Sequence, residues 1–333
     1  MKKNYSQYNL VKQPLNNKIF LYFCYFQILM KNRFYSKFLH WLILFSLVIV
    51  WGSSFILMKK GLEVFTSSEV GAIRISITSI FLFPLFLKNF KSVERRLWLL
   101  IALSGLIGNG IPAFLFAKAQ TGIDSSLAGI LNSLTPLFAL IVGITFFNQK
   151  TKWFNVAGVF IGLIGAIGLL VISGEANFNN NFSYGIYVII ATLLYSININ
   201  IIKKYLTGIN SGALTSFAFF FIGIPAIIFL FSTDFIFRLQ TVENGTESFV
   251  YIIILAVIGT ALAGIAYNYL IKISSVLFAA SVTYMIPIVA LLWGVFDGEL
   301  FKIDYIIWIL LILLGVFFVN IKKLKMFPQK ENS

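Results

Sequence analysis

The sequence predicts an all-α integral membrane protein whose ten transmembrane helices form two inverted five-helix repeats. Its composition, its ten long apolar runs and an internal repeat lead to this prediction. Of the 333 residues, 59% are hydrophobic and only 11% are charged, whereas soluble domains average about 45–50% and about 25%. A soluble fold of this size could not bury so much apolar surface, so we expect lipid to be the solvent.

Each apolar run is long enough for a helix to cross a hydrocarbon core of about 30 Å. The second span begins at Thr66-Ser-Ser-Glu69, a pattern typical of a capping box at a helix start. In the fifth span, Gly158, Gly162 and Gly165 predict close packing against another helix. The ten predicted spans are roughly 38–58, 68–87, 97–117, 126–147, 153–172, 184–202, 211–231, 249–271, 276–296 and 303–321.

The basic residues predict the orientation of these spans. With a cytoplasmic N-terminus, the cytoplasmic segments from residue 31 onward hold sixteen Lys and Arg residues. The opposite loops hold five, which are Lys59, Lys60, Lys118, Arg238 and Lys302. The positive-inside rule therefore places both termini in the cytoplasm and the protein in the plasma (inner) membrane as a multi-pass protein.

The scarcity of cysteine and histidine limits the chemistry that the chain can perform. Cys24 and His40 are the single residues of their types, which excludes a zinc cluster built from cysteine and histidine and a disulfide framework. We therefore expect neither a metal nor a cofactor. The net charge of +14 lies in loops rather than on a soluble face, so we expect no nucleic-acid partner. The expected partners are the lipid bilayer and a small-molecule substrate, and the sequence leaves the oligomeric state open.

The two ends of the chain lie outside the repeats. Residues 1–37 are predicted to be an N-terminal tail, and residues 322–333 a basic cytoplasmic tail. The apolar stretch 19–29 is too short to span a bilayer. Two alternatives stay open for it: Met30 is the true start and the preceding residues are upstream sequence or a disordered tail, or the stretch is an interfacial anchor.

The internal repeat is carried by glycine, proline and aromatic positions. At an offset of 144, Trp51 aligns with Tyr195, and Lys59-Lys60 aligns with Lys203-Lys204. From the third span onward the offset is 151, and it aligns Gly108 with Gly259, Phe116 with Tyr267, Pro136 with Pro287 and Gly143 with Gly294. Each copy has five spans, an odd number, so the second copy must enter the membrane from the opposite side. In transporters built this way, the substrate lies between the halves.

These residues resemble the drug/metabolite transporter superfamily, specifically its EamA-like ten-span exporters and permeases. The resemblance covers a first repeat at 38–172 and a second at 184–321. The motifs that carry it are Trp51-Gly-Ser-Ser54, Ala72-Ile-Arg74, Ala117-Lys-Ala119, Leu131-Asn-Ser-Leu-Thr-Pro136 and Gly298-Glu299. It implies export of small metabolites, such as amino acids or related amphiphiles.

Two prolines fall near the middle of their spans. Pro136 and Pro287 each remove one helix hydrogen bond and free the carbonyl four residues earlier, at Asn132 and Thr283. We expect helix kinks there. The freed carbonyls either line a central site or bond neighbouring helices.

Polar and aromatic side chains on shared helix faces supply the candidate binding site. Trp51 and Ser54 are three residues apart, as are Tyr195 and Asn198, so each pair lies on one face. The alternative for Trp51 and Tyr195 is an interfacial aromatic belt. The predicted substrate-binding residues are Trp51, Ser54, Asn132, Tyr195, Asn198, Tyr267, Asn268, Thr283 and Tyr284.

Arg74 is the one charge well inside a predicted span, where it costs about 2.5–3.5 kcal/mol on insertion scales. It is either an anion contact for the substrate, or a side chain that extends to the interface or pairs with Glu69 or Glu63.

Together these features predict a secondary, non-ATP transporter that works by alternating access and is not an enzyme. The alternatives are an integral-membrane enzyme acting on lipids and a receptor-like bundle without transport. Neither explains the paired prolines.

Overall fold

The structure is a computed structural model that describes residues 15–123, 125–173, 182–296 and 303–320. These residues are helical throughout, joined by short turns and without a strand. The predicted C-terminal tail and Gly298-Glu299 lie outside them. The chain divides into two compact units, residues 1–42 and 43–333. In the first unit, the described residues are all helical.

The described residues of the first half form seven α-helices, and the first begins at Leu15, within the predicted tail. They are α1 (Leu15–Leu62), α2 (Ser67–Asn89), α3 (Trp98–Gly105), α4 (Ile111–Ala119), α5 (Ser125–Asn132), α6 (Thr135–Phe147) and α7 (Trp153–Ser173). A π-helical segment, Leu106–Gly110, joins α3 to α4 into one continuous helix, and short 3-10 turns at Phe90–Ser92 and Arg95–Leu97 connect α2 to α3.

The second half repeats this plan. Its helices are α8 (Phe182–Ile201), α9 (Ser211–Phe231), α10 (Phe235–Thr241), α11 (Gly245–Ile254), α12 (Ala263–Ile273), α13 (Val276–Ala280), α14 (Val282–Phe296) and α15 (Tyr305–Asn320). A π-helical segment, Leu255–Leu262, joins α11 to α12, and another, Ile202–Leu206, ends the helix begun by α8.

Six of the helical stretches are long and apolar enough to cross a membrane. They are Phe38–Leu62, Ser67–Ser92, Arg95–Ala119, Ser183–Leu206, Ser211–Phe231 and Gly245–Ile273. Four shorter apolar helices, Thr135–Phe147, Trp153–Gly165, Val276–Val289 and Tyr305–Val319, lie within the remaining predicted ranges. The all-helical membrane class is therefore confirmed.

Two local predictions are also confirmed. The hydroxyl of Thr66 accepts from the backbone N–H of Glu69, and the Glu69 carboxylate accepts from the Thr66 N–H at 2.8 Å, so a capping box starts α2. The glycines of α7 allow α15 to approach at backbone distance. A Cβ on Gly158 would lie 2.7 Å from the backbone nitrogen of Val319, and one on Gly165 would lie 2.8 Å from that of Ile312.

Helices at equivalent places in the two halves pack on one another. The two most extensive pairings join α7 with α15 and α2 with α9, and α5 also packs on α14. The helix α8 of the second half packs on α4 of the first. The helix α1 of the first half packs on two helices of the second. Gly52 lies against Val289 of α14, and Gly61 lies against Ile252 of α11. Helices of the two halves therefore contact one another at several places along the chain.

Candidate functional site

A cavity lies between the two halves, and the empty space in it, its open mouth included, is about 950 Å³. Side chains from α1, α2, α8 and α9 contribute to its wall, as do the π-helical segments Leu106–Gly110 and Leu255–Leu262 and the helices around the two prolines. The cavity therefore lies where the repeat predicts a substrate site.

One wall comes from α1 and one from α8. On α1, Trp51, Ser54 and Phe55 line the cavity, since residues three and four positions apart share a helix face. On α8, Tyr195, Asn198 and Ile199 do the same, with the same spacing. Trp51 and Tyr195 thus both line the cavity.

The Trp51 side chain joins the two halves. Its indole Nε1 donates to the backbone carbonyl of Gly259 at 2.9 Å. Its ring meets the ring of Tyr267 edge to face, with centroids 4.8 Å apart. Such an aromatic pair adds about 0.5–1.5 kcal/mol beyond the area it buries. The indole N–H of Trp51 is therefore hydrogen-bonded within the protein, and the apolar part of the ring lines the cavity.

Phe116, Tyr195 and Phe55 form a second aromatic group in the cavity wall. Phe116 stacks on Tyr195 with ring centroids 5.8 Å apart, and it meets Phe55 edge to face at 6.0 Å. Amide groups complete the lining: Asn198 Oδ1 accepts from the hydroxyl of Ser104, and Asn268 Nδ2 donates to the hydroxyl of Thr215 at 2.9 Å. Aromatic faces with a few fixed amides suit a small solute that has an apolar body and polar ends.

Two of the π-helical segments, Leu106–Gly110 and Leu255–Leu262, bring the two halves close together. Gly108 lies in one segment, and a Cβ there would collide with the amide of Asn198. Gly259 lies in the other, and a Cβ there would lie 2.8 Å from Ser54 Oγ. π-helical turns inside α-helices are frequent at functional sites. Here glycine is required for the approach of a polar side chain from the other half.

Arg74 reaches the cavity from α2. Its Nε donates to the hydroxyl of Thr260 at 2.7 Å. The carboxylates proposed as alternative partners are engaged elsewhere, because Glu63 pairs with Lys60 at 2.8 Å and Glu69 pairs with Arg238 at 3.4 Å. Arg74 therefore pairs with neither Glu69 nor Glu63.

At Pro136 the carbonyl without a helix donor is satisfied locally. The hydroxyl of Thr135 donates to the carbonyl of Asn132 at 2.7 Å. The helix is interrupted at Ser133 and Leu134, and Pro136 stands in the first turn of α6. The predicted kink is thus a break between α5 and α6, with Asn132 at the cavity wall.

At Pro287 the carbonyl is satisfied across the halves. The hydroxyl of Ser133 donates to the carbonyl of Thr283 at 3.1 Å. Pro287 lies inside α14, and the helix is interrupted earlier, at Ser281. Both freed carbonyls are thus bonded by protein hydroxyls, that of Asn132 locally and that of Thr283 from the other half. Thr283 itself also lines the cavity.

Tyr284 requires a correction. It is completely buried outside the cavity, and its hydroxyl donates to the carbonyl of Val159 on α7 at 2.7 Å. Its ring packs against Gly162, where a Cβ would lie 2.9 Å from the ring. Tyr284 follows Thr283 directly, so its side chain leaves the helix about 100° away from the cavity face. We remove it from the candidate site and assign it to packing.

The other eight predicted binding residues all line the cavity. Sequence reasoning missed several further lining residues, namely Phe55, Met58, Asn109, Phe116, Thr135, Thr215 and Thr260. The repeat contained a signal for some of them, because Asn109 aligns with Thr260 at the offset of 151. Thr215 lies near the start of α9, where the sequence shows no pattern that distinguishes it.

The lining residues correspond across the repeat. At the offsets of 144 and 151, eight pairs of aligned positions both line the cavity. They are Trp51 with Tyr195, Ser54 with Asn198, Phe55 with Ile199, Gly108 with Gly259, Asn109 with Thr260, Phe116 with Tyr267, Asn132 with Thr283 and Thr135 with Ile286.

Comparison with known proteins identifies relatives over most of the chain. The "Uncharacterized inner membrane transporter YedA" of Escherichia coli K12 is 27% identical over 273 residues, covering 79% of this chain and 85% of that protein. The "Probable terminal-alkyne amino-acid exporter" of Streptantibioticus cattleyicolor is 22% identical, covering 73% of this chain and 80% of the exporter. A protein crystal structure matches with a TM-score of 0.65 at 17% identity, covering 83% of this chain and 94% of that chain. That structural match establishes the shared fold.

The family comparison accounts for both halves. The model of the EamA-like transporter family matches twice, at residues 38–171 and 183–321. The two matches together cover most of the chain. The chain is a membrane transporter that belongs to the EamA-like transporter family.

Proposed function

We propose that this protein is a secondary transporter that binds a small metabolite in the cavity between its halves and releases it by alternating access. The observation that carries the proposal is the lining by eight pairs of equivalent residues. If the halves are related by a two-fold axis in the membrane plane, equivalent residues lie on either side of that axis. A site on the axis can be exposed first to one side of the membrane and then to the other.

The same argument extends to the arrangement of the chain. Ten spans in two inverted five-helix repeats would place both termini in the cytoplasm of a cell whose inner membrane holds the protein. The two glycine contacts support inversion, because Gly108 receives Asn198 and Gly259 receives the aligned residue Ser54. Each contact is the counterpart of the other with the halves exchanged.

We further propose that the substrates are amino acids or related amphiphiles and that the direction is export. One relative is named as an amino-acid exporter. Another, from Salmonella typhimurium, is named "Probable amino-acid metabolite efflux pump" and is 27% identical over 40% of this chain and 42% of the pump. The aromatic faces and side-chain amides of the cavity suit such solutes. Membership in a transporter family favours transport over the lipid-acting enzyme and the receptor-like bundle.

Counterflow into proteoliposomes tests this proposal. Vesicles preloaded with an unlabelled amino acid are given the labelled form of the same compound, over a panel that includes leucine, phenylalanine and threonine. The protein should accumulate at least one label above protein-free vesicles. Trp51→Ala should lower the rate by at least about tenfold, since a loss of about 1.4 kcal/mol is tenfold in rate.

Trp153→Ala is the matched control, because Trp153 is 78% exposed on α7 and lies outside the cavity. It should leave counterflow unchanged. Absence of accumulation for every member of the panel would contradict the proposed function. Normal counterflow in a folded Trp51→Ala variant would show that the cavity is not the transport site.

A further inference from the structure

We infer that the transported solute carries a carboxylate, and that Arg74 binds it with Thr260 holding the guanidinium in place. This inference rests on the proposed function and names the substrate class of the same cavity. It starts from the charge of the wall. Among the described residues that line the cavity, Arg74 is the one with a full charge.

The Arg74 side chain has unused donors that face the cavity. A guanidinium carries five N–H donors, and in the described part of the chain Arg74 makes one side-chain hydrogen bond, from Nε to Thr260. It belongs to no ion pair among those residues. A cation inside a membrane protein without an ionic partner is costly, so the cavity favours an anionic ligand.

The geometry favours a planar carboxylate as that anion. The terminal nitrogens of a guanidinium form a fork that matches the two oxygens of a carboxylate. Thr260 engages Nε, which fixes the plane of the fork and leaves the terminal nitrogens for the ligand. Thr260 is therefore a positioning residue.

Charge balance separates a carboxylate from a phosphate. A single carboxylate neutralises the single arginine, whereas a dianionic phosphate would leave a net negative charge in a site that holds no second cation among its described residues. A solute that has an ammonium group without a carboxylate would add a second positive charge. An ammonium group on the same solute as the carboxylate can rest against the faces of Trp51 and Tyr195.

The nearby Thr78 hydroxyl does not compete with a ligand for the guanidinium of Arg74. Thr78 donates its hydroxyl to the carbonyls of Arg74 and Ala256, at 2.8 Å and 2.9 Å. That side chain is completely buried, and it fixes the backbone of Arg74 to the π-helical segment that carries Thr260. The elements that hold the cation and its partner are thus joined independently of any ligand.

Matched solutes test the inference by thermal unfolding of the purified protein in detergent. One set has L-phenylalanine, L-phenylalaninamide, 3-phenylpropionate and 2-phenylethylphosphonate, and a second set has the corresponding compounds on the leucine side chain. Each is titrated to obtain an apparent Kd from its stabilisation of the protein. In the unmodified chain, the two carboxylates of a set should bind at least about tenfold more tightly than the amide, as expected for a charge-assisted hydrogen bond. The phosphonate should bind more weakly than the carboxylates.

Arg74→Gln should weaken carboxylate binding by at least about tenfold and leave amide binding unchanged or tighter, so that the preference disappears. Arg74→Lys, which keeps the charge but loses the fork, should retain part of it. Thr260→Val should weaken carboxylates more than amides. Arg96→Gln is the control, because Arg96 is an exposed arginine that pairs with Glu94 outside the cavity, and it should preserve the full preference.

Several results would overturn the inference. Equal or tighter binding of the amides, tighter binding of the phosphonate, retention of the preference in Arg74→Gln, or failure of every carboxylate to bind would each do so. Equal weakening of carboxylates and amides in Arg74→Gln would indicate a structural role instead. If counterflow still moves amides or amines in that case, the proposed function stands and the assignment of Arg74 falls.

Discussion

The amide of Asn198 fills the space that a Cβ on Gly108 would need. Asn198 belongs to α8 of the second half, and Gly108 to the π-helical segment of the first. The aligned pair Ser54 and Gly259 repeats this contact with the halves exchanged. Each contact sets a polar side chain at the edge of the cavity, so the same glycine that permits helix approach also shapes the site.

Gly108→Ala should destabilise the protein by roughly 1–3 kcal/mol, the usual cost of overpacking. The reason is that Asn198 must leave its position and give up its hydrogen bond with Ser104. Addition of Asn198→Ala should recover part of this loss, and thermal unfolding in detergent measures both effects. Gly208→Ala is the control, since nothing lies within 4 Å of a Cβ there. If Gly108→Ala were as stable as that control, the close approach would be refuted.

Trp51→Phe should lower the free energy of unfolding by roughly 0.5–1.5 kcal/mol, the net value of one hydrogen bond. The substitution keeps a ring against Tyr267 but removes the donor to the Gly259 carbonyl. Trp153→Phe, at an exposed position, should have no comparable effect. Equal stability of the two variants would show that the indole hydrogen bond does not tie the halves together.

Ser133→Ala should cost about 1–3 kcal/mol, because the buried Thr283 carbonyl then loses its donor. Pro287 has no N–H to replace it. In a Pro287→Ala background the helix regains that N–H, and the cost of Ser133→Ala should be smaller. The double-mutant cycle measures this coupling, and an additive result would mean that the hydroxyl does not compensate for the proline.

Tyr284→Phe should separate packing from binding. Loss of its hydrogen bond to the Val159 carbonyl should lower stability by roughly 0.5–1.5 kcal/mol. The apparent Kd of a transported amino acid should not change, because the side chain lies outside the cavity wall. A large change in that Kd without loss of stability would return Tyr284 to the site.

Much of the fold could be predicted from the sequence, because a helix that crosses lipid must be apolar and long enough to span it. Apolar length predicts the helices, Thr66 and Glu69 predict the start of α2, and Gly158 and Gly165 predict the contact of α7 with α15. The breaks were harder to predict. Pro287 sits within an uninterrupted α14, while the break falls at Ser281, since a proline in a helix is tolerated when a neighbouring hydroxyl serves the freed carbonyl.

The site was predicted where helix faces decide it and missed where tertiary contacts do. Spacing placed Trp51 with Ser54, and Tyr195 with Asn198, on faces that do line the cavity. Spacing could not separate Thr283 from its neighbour Tyr284, because the rotation of α14 depends on its packing against α7. Nor could it predict that Arg74 would meet Thr260, which lies 186 residues away.

The accessibility of a single cysteine in the cavity tests alternating access most directly. Ser54→Cys in a Cys24→Ser background introduces a nearly isosteric thiol at the cavity wall. A membrane-impermeant maleimide is applied to oriented vesicles from each side in turn. We predict that the thiol reacts from both sides, and that an amino acid which gives counterflow slows both reactions. Reaction from one side alone, or rates that the transported solute leaves unchanged, would contradict a substrate site that alternates between the two faces of the membrane.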